Sequence, residues 1–268
     1  MAHIRSKSDN PWLAPTAPDL VWFGGEDAMR FLNDIISQEI GDLESGEVRR
    51  SLLLGPQGKL DHVLWVTRSE GRIGLITDPG RGEELATTLG RYRIRVDVDI
   101  TVEDRPIWLV MGEWDGIDVS WANTPRTLVI GDRPELPDGT LSQYEAARIR
   151  AGEPKWGSEV SETTIPHETG LVPVSVDFDK GCFLGQELVA RIDSRGGNAP
   201  RFVRLIDLEQ HAEAGTTLTA DGAEVGTLTS VSDRVGLAVV HRNVEPGSTV
   251  SAGTTSGVVR EIPQKAQT

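Results

Sequence analysis

Residues 180–191 read KGCFLGQELVAR, and the third of them, Cys182, is the only cysteine in 268 residues. Its neighbours are unusual for a packed thiol. Lys180 and Gly181 precede it and Gly185 follows, while the apolar spacing of GQELVARI predicts a helix opening near Gly185. A helix N-terminus and an adjacent cation both favour the thiolate, the nucleophilic form of cysteine. The competing account is a small buried hydrophobe, the common fate of a lone cysteine. Taken alone, the residues leave the two accounts open.

Composition narrows the setting. Charged residues make up 25% and hydrophobic residues 38%, ordinary values for a globular chain. The formal net charge of −14 describes an acidic surface that repels phosphate backbones, so direct nucleic-acid binding is not expected. One cysteine excludes an internal disulfide and any site built from several thiolates, and fits a reducing compartment. The first residues, MAHIRSKSDNPW, lack the apolar run of a signal peptide, and no stretch reaches the ~18 apolar residues of a membrane span. A cytoplasmic protein without membrane contact is expected, with a monomer favoured.

Working outward from the cysteine, helical spacing recurs after Gly24-Gly25, across 80–92 and in SQYEAARIR (142–150). Strand-like runs fall at 48–54, 60–67 and 72–77, with GPQGK as the turn between the first two. Ile94, Val96, Val98, Ile100 and Val102 alternate with polar residues and predict one continuous strand. The runs IWLVM and TLVI are two more short strands. From Arg201, brief Val/Leu/Thr-rich strands alternate with glycine turns, the texture of a small barrel or sandwich. The Gly196-Gly197 and Pro200 stretch places a boundary near residue 200, giving parts 1–200 and 201–268, and PQKAQT reads as a loose tail.

The segment KGCFLGQE resembles the K-G-C-[YF]-x-G-Q-E signature of the YgfZ family, folate-binding proteins related to the aminomethyltransferase (T-protein) of the glycine cleavage system. The likeness continues through ARIRAGEPKWGSEVSETTIPHETGLVPVSVDFD, which follows the family order of an R-[IL]-x-x-G-x-P turn, a W/Y-G-x-[DE] loop and a T-x-P-x-E segment. FLNDIISQEIGDLESGEVRRSLLLGPQGKLDHVLWV is similar to the opening helix and strands of the same superfamily. The resemblance covers about residues 20–260 and is weakest over 104–140. It implies an α+β, T-protein-like folate-binding fold with a small C-terminal β-barrel. It also implies support for the assembly or repair of iron–sulfur enzymes, including those that modify tRNA. The partners implied are a reduced folate such as tetrahydrofolate and iron–sulfur client enzymes. Carried over to this chain, the resemblance makes Cys182 the working thiol with Lys180 beside it. It assigns Asp61 a catalytic or folate-facing position and Trp156 a place flanking the pterin. Arg148, Glu168, Gln186 and Glu187 join the expected folate-binding set, and Lys59, Arg148 and Lys180 are candidates for an anionic glutamate tail.

Departures from the transferases are as informative. Those enzymes carry adjacent aspartates where this chain has Asp61-His62, so one carboxylate survives and the pairing is lost. A proton-transfer role needs an acid or base within hydrogen-bond reach of the reacting atom. Arg150 stands where the transferases carry an acid. A folate-dependent aminomethyl or one-carbon transferase is therefore the alternative reading, and a scaffold without ligand a third. His167-Glu168 lacks metal-site spacing, and no metal site is expected.

Overall fold

The structure, a computed structural model, describes residues 10–263; the start of the N-terminal lead and nearly all of the expected tail lie outside the described residues. Three β systems organise the chain. The first is an antiparallel sheet with spatial order β3 (Val48–Leu54), β4 (Leu60–Ser69), β5 (Arg72–Thr77), β2 (Asp19–Gly24) and β6 (Asp99–Val102). The second runs β1 (Trp12–Leu13), β7 (Ile107–Met111), β9 (Arg126–Ile130) and β8 (Ile117–Asp118). The third is a closed barrel of β10 (Arg201–Leu208), β13 (Val235–His241), β12 (Ala223–Ser232), β11 (Thr217–Ala220), β14 (Thr249–Ala252) and β15 (Thr255–Arg260). Closure removes the open edges that short strands leave exposed to pairing with other chains.

Five helices cover these sheets among the described residues: α1 (Ala28–Asn33), α2 (Gly82–Gly90), α3 (Leu141–Arg150), α4 (Val172–Ser175) and α5 (Gln186–Asp193). One face of the first sheet packs Val21, Phe23, Leu53, Leu64 and Leu75 against Phe31 and Leu32 of α1 and Leu85 and Leu89 of α2. On the opposite face, Leu20, Trp22 and Ile76 meet Leu109, Met111 and Leu128 of the second sheet. Next to them, Leu52, Leu60 and Val63 pack on Leu171, Val172, Phe183 and Val189. The first sheet is thus buried on both faces, and its strands read as nearly continuous apolar runs for that reason.

Helix α3 starts where the sequence dictates. Thr140 Oγ1 accepts from the Gln143 N–H and the Gln143 side chain accepts from the Thr140 N–H, a reciprocal capping box. The expected strand at 94–102 is shorter than its alternation: only Asp99–Val102 pairs. Strand β2 ends at Gly24, opposite Asp99, so residues 94–98 have no strand to pair with, and Asp97 bonds instead to Asp27 at the start of α1. Arg95 adopts a φ of 58° and Ile94 is 73% exposed, both incompatible with a buried strand. Helix α1 also stops at Asn33 rather than running through Ile36.

Candidate functional site

The cysteine motif owes its glycine to a close approach. Gly185 has φ 73° and caps α5, and a Cβ there would lie 2.5 Å from the carbonyl oxygen of Gly55. Across the contact, a Cβ on Gly58 would lie 2.5 Å from Leu188 Cβ. The KGCFLGQE loop therefore docks backbone-to-backbone on the β3–β4 turn, with Phe183 buried beneath it. Gln186 Oε1 accepts from the Phe183 N–H at 3.1 Å and holds the loop from within. Cys182 itself is exposed. Lys180 does not reach toward it as a free cation: its ammonium donates to the carbonyls of Asn33, Ile36 and Gln38 at 2.7, 2.9 and 2.8 Å. Burial pulls the Lys180 ammonium down from the ordinary lysine range. Lys180 closes the frayed end of α1, and Glu187 is exposed in the first turn of α5.

Asp61 and Trp156 come together through a residue that no sequence motif marks. The Arg81 guanidinium lies 3.6 Å from the centre of the Trp156 ring, donates to the Asp61 carbonyl at 2.8 Å and stands 3.8 Å from its carboxylate. Glu84 accepts two further bonds from it, each 2.9 Å. Burial raises the Asp61 carboxyl above the usual range, opposed by Arg81. His62, beside it, is fully buried with Nδ1 2.9 Å from Thr77 Oγ1 and Nε2 4.0 Å from the Asp61 carboxylate, and burial drops it to about 3. It is a neutral core imidazole, not a second acid.

Arg148 is bound up in protein contacts. It is 2% exposed and donates to Glu145, Ser230, Glu159 and the Glu153 carbonyl. Glu159, the acid of the W-G-x-E loop, also accepts from Thr229 and Ser230 of the barrel at 2.6 Å each and from the Lys155 N–H at 3.0 Å. The pair is a latch between α3 and the barrel with its hydrogen-bonding capacity used. Glu168 is likewise occupied: it accepts from the Ile165 N–H at 2.9 Å and faces Arg201 of the barrel at 3.5 Å. These two expected folate contacts thus serve the seam between the parts of the chain.

One cavity of about 580 Å³ lies beside Asp61, between the β3–β4 turn and α2, and another ligand-sized space lies between the first sheet, the loop after β8 and the Gly170–Val174 segment. A cavity of about 370 Å³ is lined by Arg50, Trp65, Trp121, Gln38, Asp118 and Leu171, among others. None of the residues expected to bind folate lines it. Trp65 and Trp121 meet edge to face at 5.5 Å, and the Arg50 guanidinium lies 3.5 Å from the Trp121 ring centre and 5.3 Å from that of Trp65. Burial pushes Arg50 down to about 10, with Arg126 acting in the same direction.

Trp65 also borders a second cavity of about 40 Å³, lined by Asp78, Arg126, Tyr144 and Glu153. Arg126 and Glu153 are 3% and 8% exposed. Arg126 Nη1 is 2.5 Å from Glu153 Oε2, but the approach lacks hydrogen-bond alignment. Oε2, Arg126 Nε and Arg126 Nη2 are all buried without a hydrogen-bond partner among the described residues. Burial raises Asp78 to about 6, reinforced by Glu153, and moves the Tyr144 hydroxyl up for the same two reasons. Strained ionisation and unpaired polar atoms beside a cavity are the physical marks of a binding site. The sequence signal for it is thin: Arg50 reads as polar alternation in VRRSLLL, Trp65 as core, and Arg126 falls where the family likeness is weakest.

Comparison with known proteins agrees with this architecture. Residues 170–264 match the family described as CAF17, C-terminal beta-barrel domain. An iron–sulfur cluster assembly factor IBA57 homolog, mitochondrial, from Chaetomium globosum is 26% identical over 77% of this chain and 58% of its own length. The tRNA-modifying protein YgfZ of Klebsiella pneumoniae is 25% identical over 67% of this chain and 66% of its own. The chain thus spans between half and two thirds of these two relatives. Among solved structures, the glycine cleavage system aminomethyltransferase T from Bartonella henselae superposes with a TM-score of 0.79 over 95% of this chain and 86% of that one, at 16% identity. The fold is therefore the α+β T-protein fold with its terminal barrel. No helix among the described residues is long and apolar enough to cross a membrane.

Proposed function

We propose that this homologue of the YgfZ and IBA57 proteins binds a reduced folate in the cavity walled by Trp65 and Trp121, and supports the assembly or repair of iron–sulfur enzymes. One observation carries the ligand reading: two indoles and a stacked guanidinium line a space of about 370 Å³, within the range of small-molecule sites. Aromatic walls suit a planar bicyclic ring and its benzoyl arm, while Arg50 offers charge to the anionic tail. Tetrahydrofolate when bound would supply a one-carbon carrier; the chain's own part is to stack it, exclude water and orient its polar edge.

Cys182, exposed and carried on a loop pinned by Gly185 and Phe183, is the thiol through which we infer contact with clients. A chain divided into a folate-binding part, 1–200, and a barrel part, 201–268, follows from the same reading, with the Arg148–Glu159 latch joining them. Clients that modify tRNA, and a cytoplasmic setting, belong to it as well. The transferase alternative is the weaker reading because the second acid is replaced by His62, which is buried and neutral.

Titration with tetrahydrofolate, followed by tryptophan fluorescence, tests the ligand: saturable quenching that is lost in Trp65→Leu is expected, and a flat trace at millimolar ligand would overturn it. Rescue of iron–sulfur enzyme activity in cells lacking the protein tests the thiol. Cys182→Ser is expected to fold, to keep its folate affinity and to fail in rescue; full rescue would refute that role.

A further inference from the structure

The small cavity beside Trp65 holds a combination that neither a cation nor an anion satisfies. Arg126 presents two free donors, Nε–H and Nη2–H, on the side-on face of a guanidinium, the face that grips paired acceptors. Glu153 Oε2, 2.5 Å from Arg126 Nη1, is an acceptor without a hydrogen bond. A carboxylate seated on Arg126 would be repelled by Glu153, and an ammonium seated on Glu153 would be repelled by Arg126. The complement is a neutral group offering an acceptor and a donor side by side. Burial at 3% and 8% exposure makes an unmet donor or acceptor here costly, which gives such a partner a strong thermodynamic pull into the cavity.

We propose that Arg126 and Glu153 form a subsite that reads the edge of a planar heterocycle in which a ring carbonyl adjoins N–H groups, the pattern of a 2-amino-4-oxo-pyrimidine ring. The proposal rests on the folate reading of the central cavity and adds which end of the ligand lies inward. Arg126 donates to the ring carbonyl and Glu153 accepts from the ring and exocyclic N–H. Trp65 lines both the small and the large cavity, and the proposal lays the ring along its indole. The small cavity, about 40 Å³, has room for the polar edge alone, and the remainder of the ligand extends into the space beside Trp121. Asp78, brought to about 6 by burial and by Glu153, adds a carboxyl that is easily protonated at the same edge. Discrimination follows from the chemistry, because a site built around buried polar groups rejects a ligand that leaves them unpaired.

Calorimetry on the full chain with three probes decides the matter: tetrahydrofolate, the bare ring 6-methyltetrahydropterin, and the ringless arm p-aminobenzoylglutamate. The wild type is expected to bind tetrahydrofolate and the bare pterin. Arg126→Lys, which keeps the charge and loses the side-on face, and Glu153→Gln are each expected to weaken both ligands about tenfold or more, leaving p-aminobenzoylglutamate unchanged. Thermal unfolding of each variant controls for folding. Should a single variant fail to fold, the double variant Arg126→Met/Glu153→Leu removes both charges together and is read the same way. Tetrahydrofolate or pterin binding unchanged in the variants would overturn the subsite, with ordered water then the partner of these groups, while leaving the folate reading intact. An arm weakened as much as the ring would overturn the subsite in the same way. Absence of tetrahydrofolate binding to the wild type would overturn the folate reading and the subsite together.

Discussion

Two buried charge clusters meet at Glu153 and behave in opposite ways. In the latch, Arg148 and Glu159 spend their hydrogen bonds on Glu145, Ser230, Thr229 and backbone groups. Beside the cavity, Arg126 and Glu153 form an ion pair yet leave three polar atoms without a hydrogen bond among the described residues. Glu153 touches both, its carbonyl accepting from Arg148 at 2.7 Å while its carboxylate turns to Arg126. Burial and charge are similar; satisfaction differs. A saturated cluster contributes to the fold, whereas an unsaturated one on a cavity wall is held at a cost in stability that a ligand offsets.

The largest expected effect is on the saturated side. Glu159→Ala leaves the buried Arg148 with Glu145 as its one carboxylate and takes the acceptor from Ser230 and from the Lys155 N–H, and should cost about 3–5 kcal/mol in urea unfolding. A loss below ~1 kcal/mol would mean that the latch is idle. On the unsaturated side the sign reverses: Arg126→Met/Glu153→Leu should leave stability unchanged or raise it by about 1–4 kcal/mol.

Next in size is the motif glycine. Gly185→Ala forces a φ of 73° on a residue with a side chain and drives its Cβ to 2.5 Å from Gly55 O, a cost of about 1–3 kcal/mol. Denaturation should show this loss, and Gly181→Ala, with nothing within 4 Å, should show almost none. The smallest effect is on pH dependence. Folded His62 has its pKa depressed to about 3 against an ordinary 6.5, so the unfolded chain binds the extra proton and stability drops as pH falls through that window. Asp78, raised to about 6, works in the opposite direction: the folded chain binds the proton, and stability falls as pH rises from about 4 to about 6. Comparing pH–stability curves of His62→Gln and Asp78→Asn with the wild type should show each slope vanish separately.

The same contrast explains which features are legible in the sequence. Elements set by periodicity and punctuation are read closely: β3 and β5 end where VRRSLLL and RIGLIT do, and α3 covers SQYEAARIR with one residue more at its start. The alternation at 94–98 misleads because a strand also needs a neighbour, and β2 stops at Gly24. Motif residues are readable as important but not in what they do. Arg148, Glu159, Glu168 and Lys180 sit in quoted motifs, yet they fasten the barrel seam or the end of α1. Arg50, Trp65, Arg126 and Glu153 come from separate strands and a loop, and only folding gathers them around the cavities. Hydrogen-bond satisfaction is a property of three-dimensional contacts, and nothing in local pattern encodes it.

The most direct test of the satisfied-versus-unsatisfied distinction is urea unfolding of the wild type and of Arg126→Met/Glu153→Leu, each with and without tetrahydrofolate at about 100 times the wild-type Kd. The wild type should gain about 2.7 kcal/mol from the ligand, and the double variant, at least as stable without it, should gain almost nothing. A double variant that is stabilised as much as the wild type, or that is several kcal/mol weaker without ligand, would contradict the account.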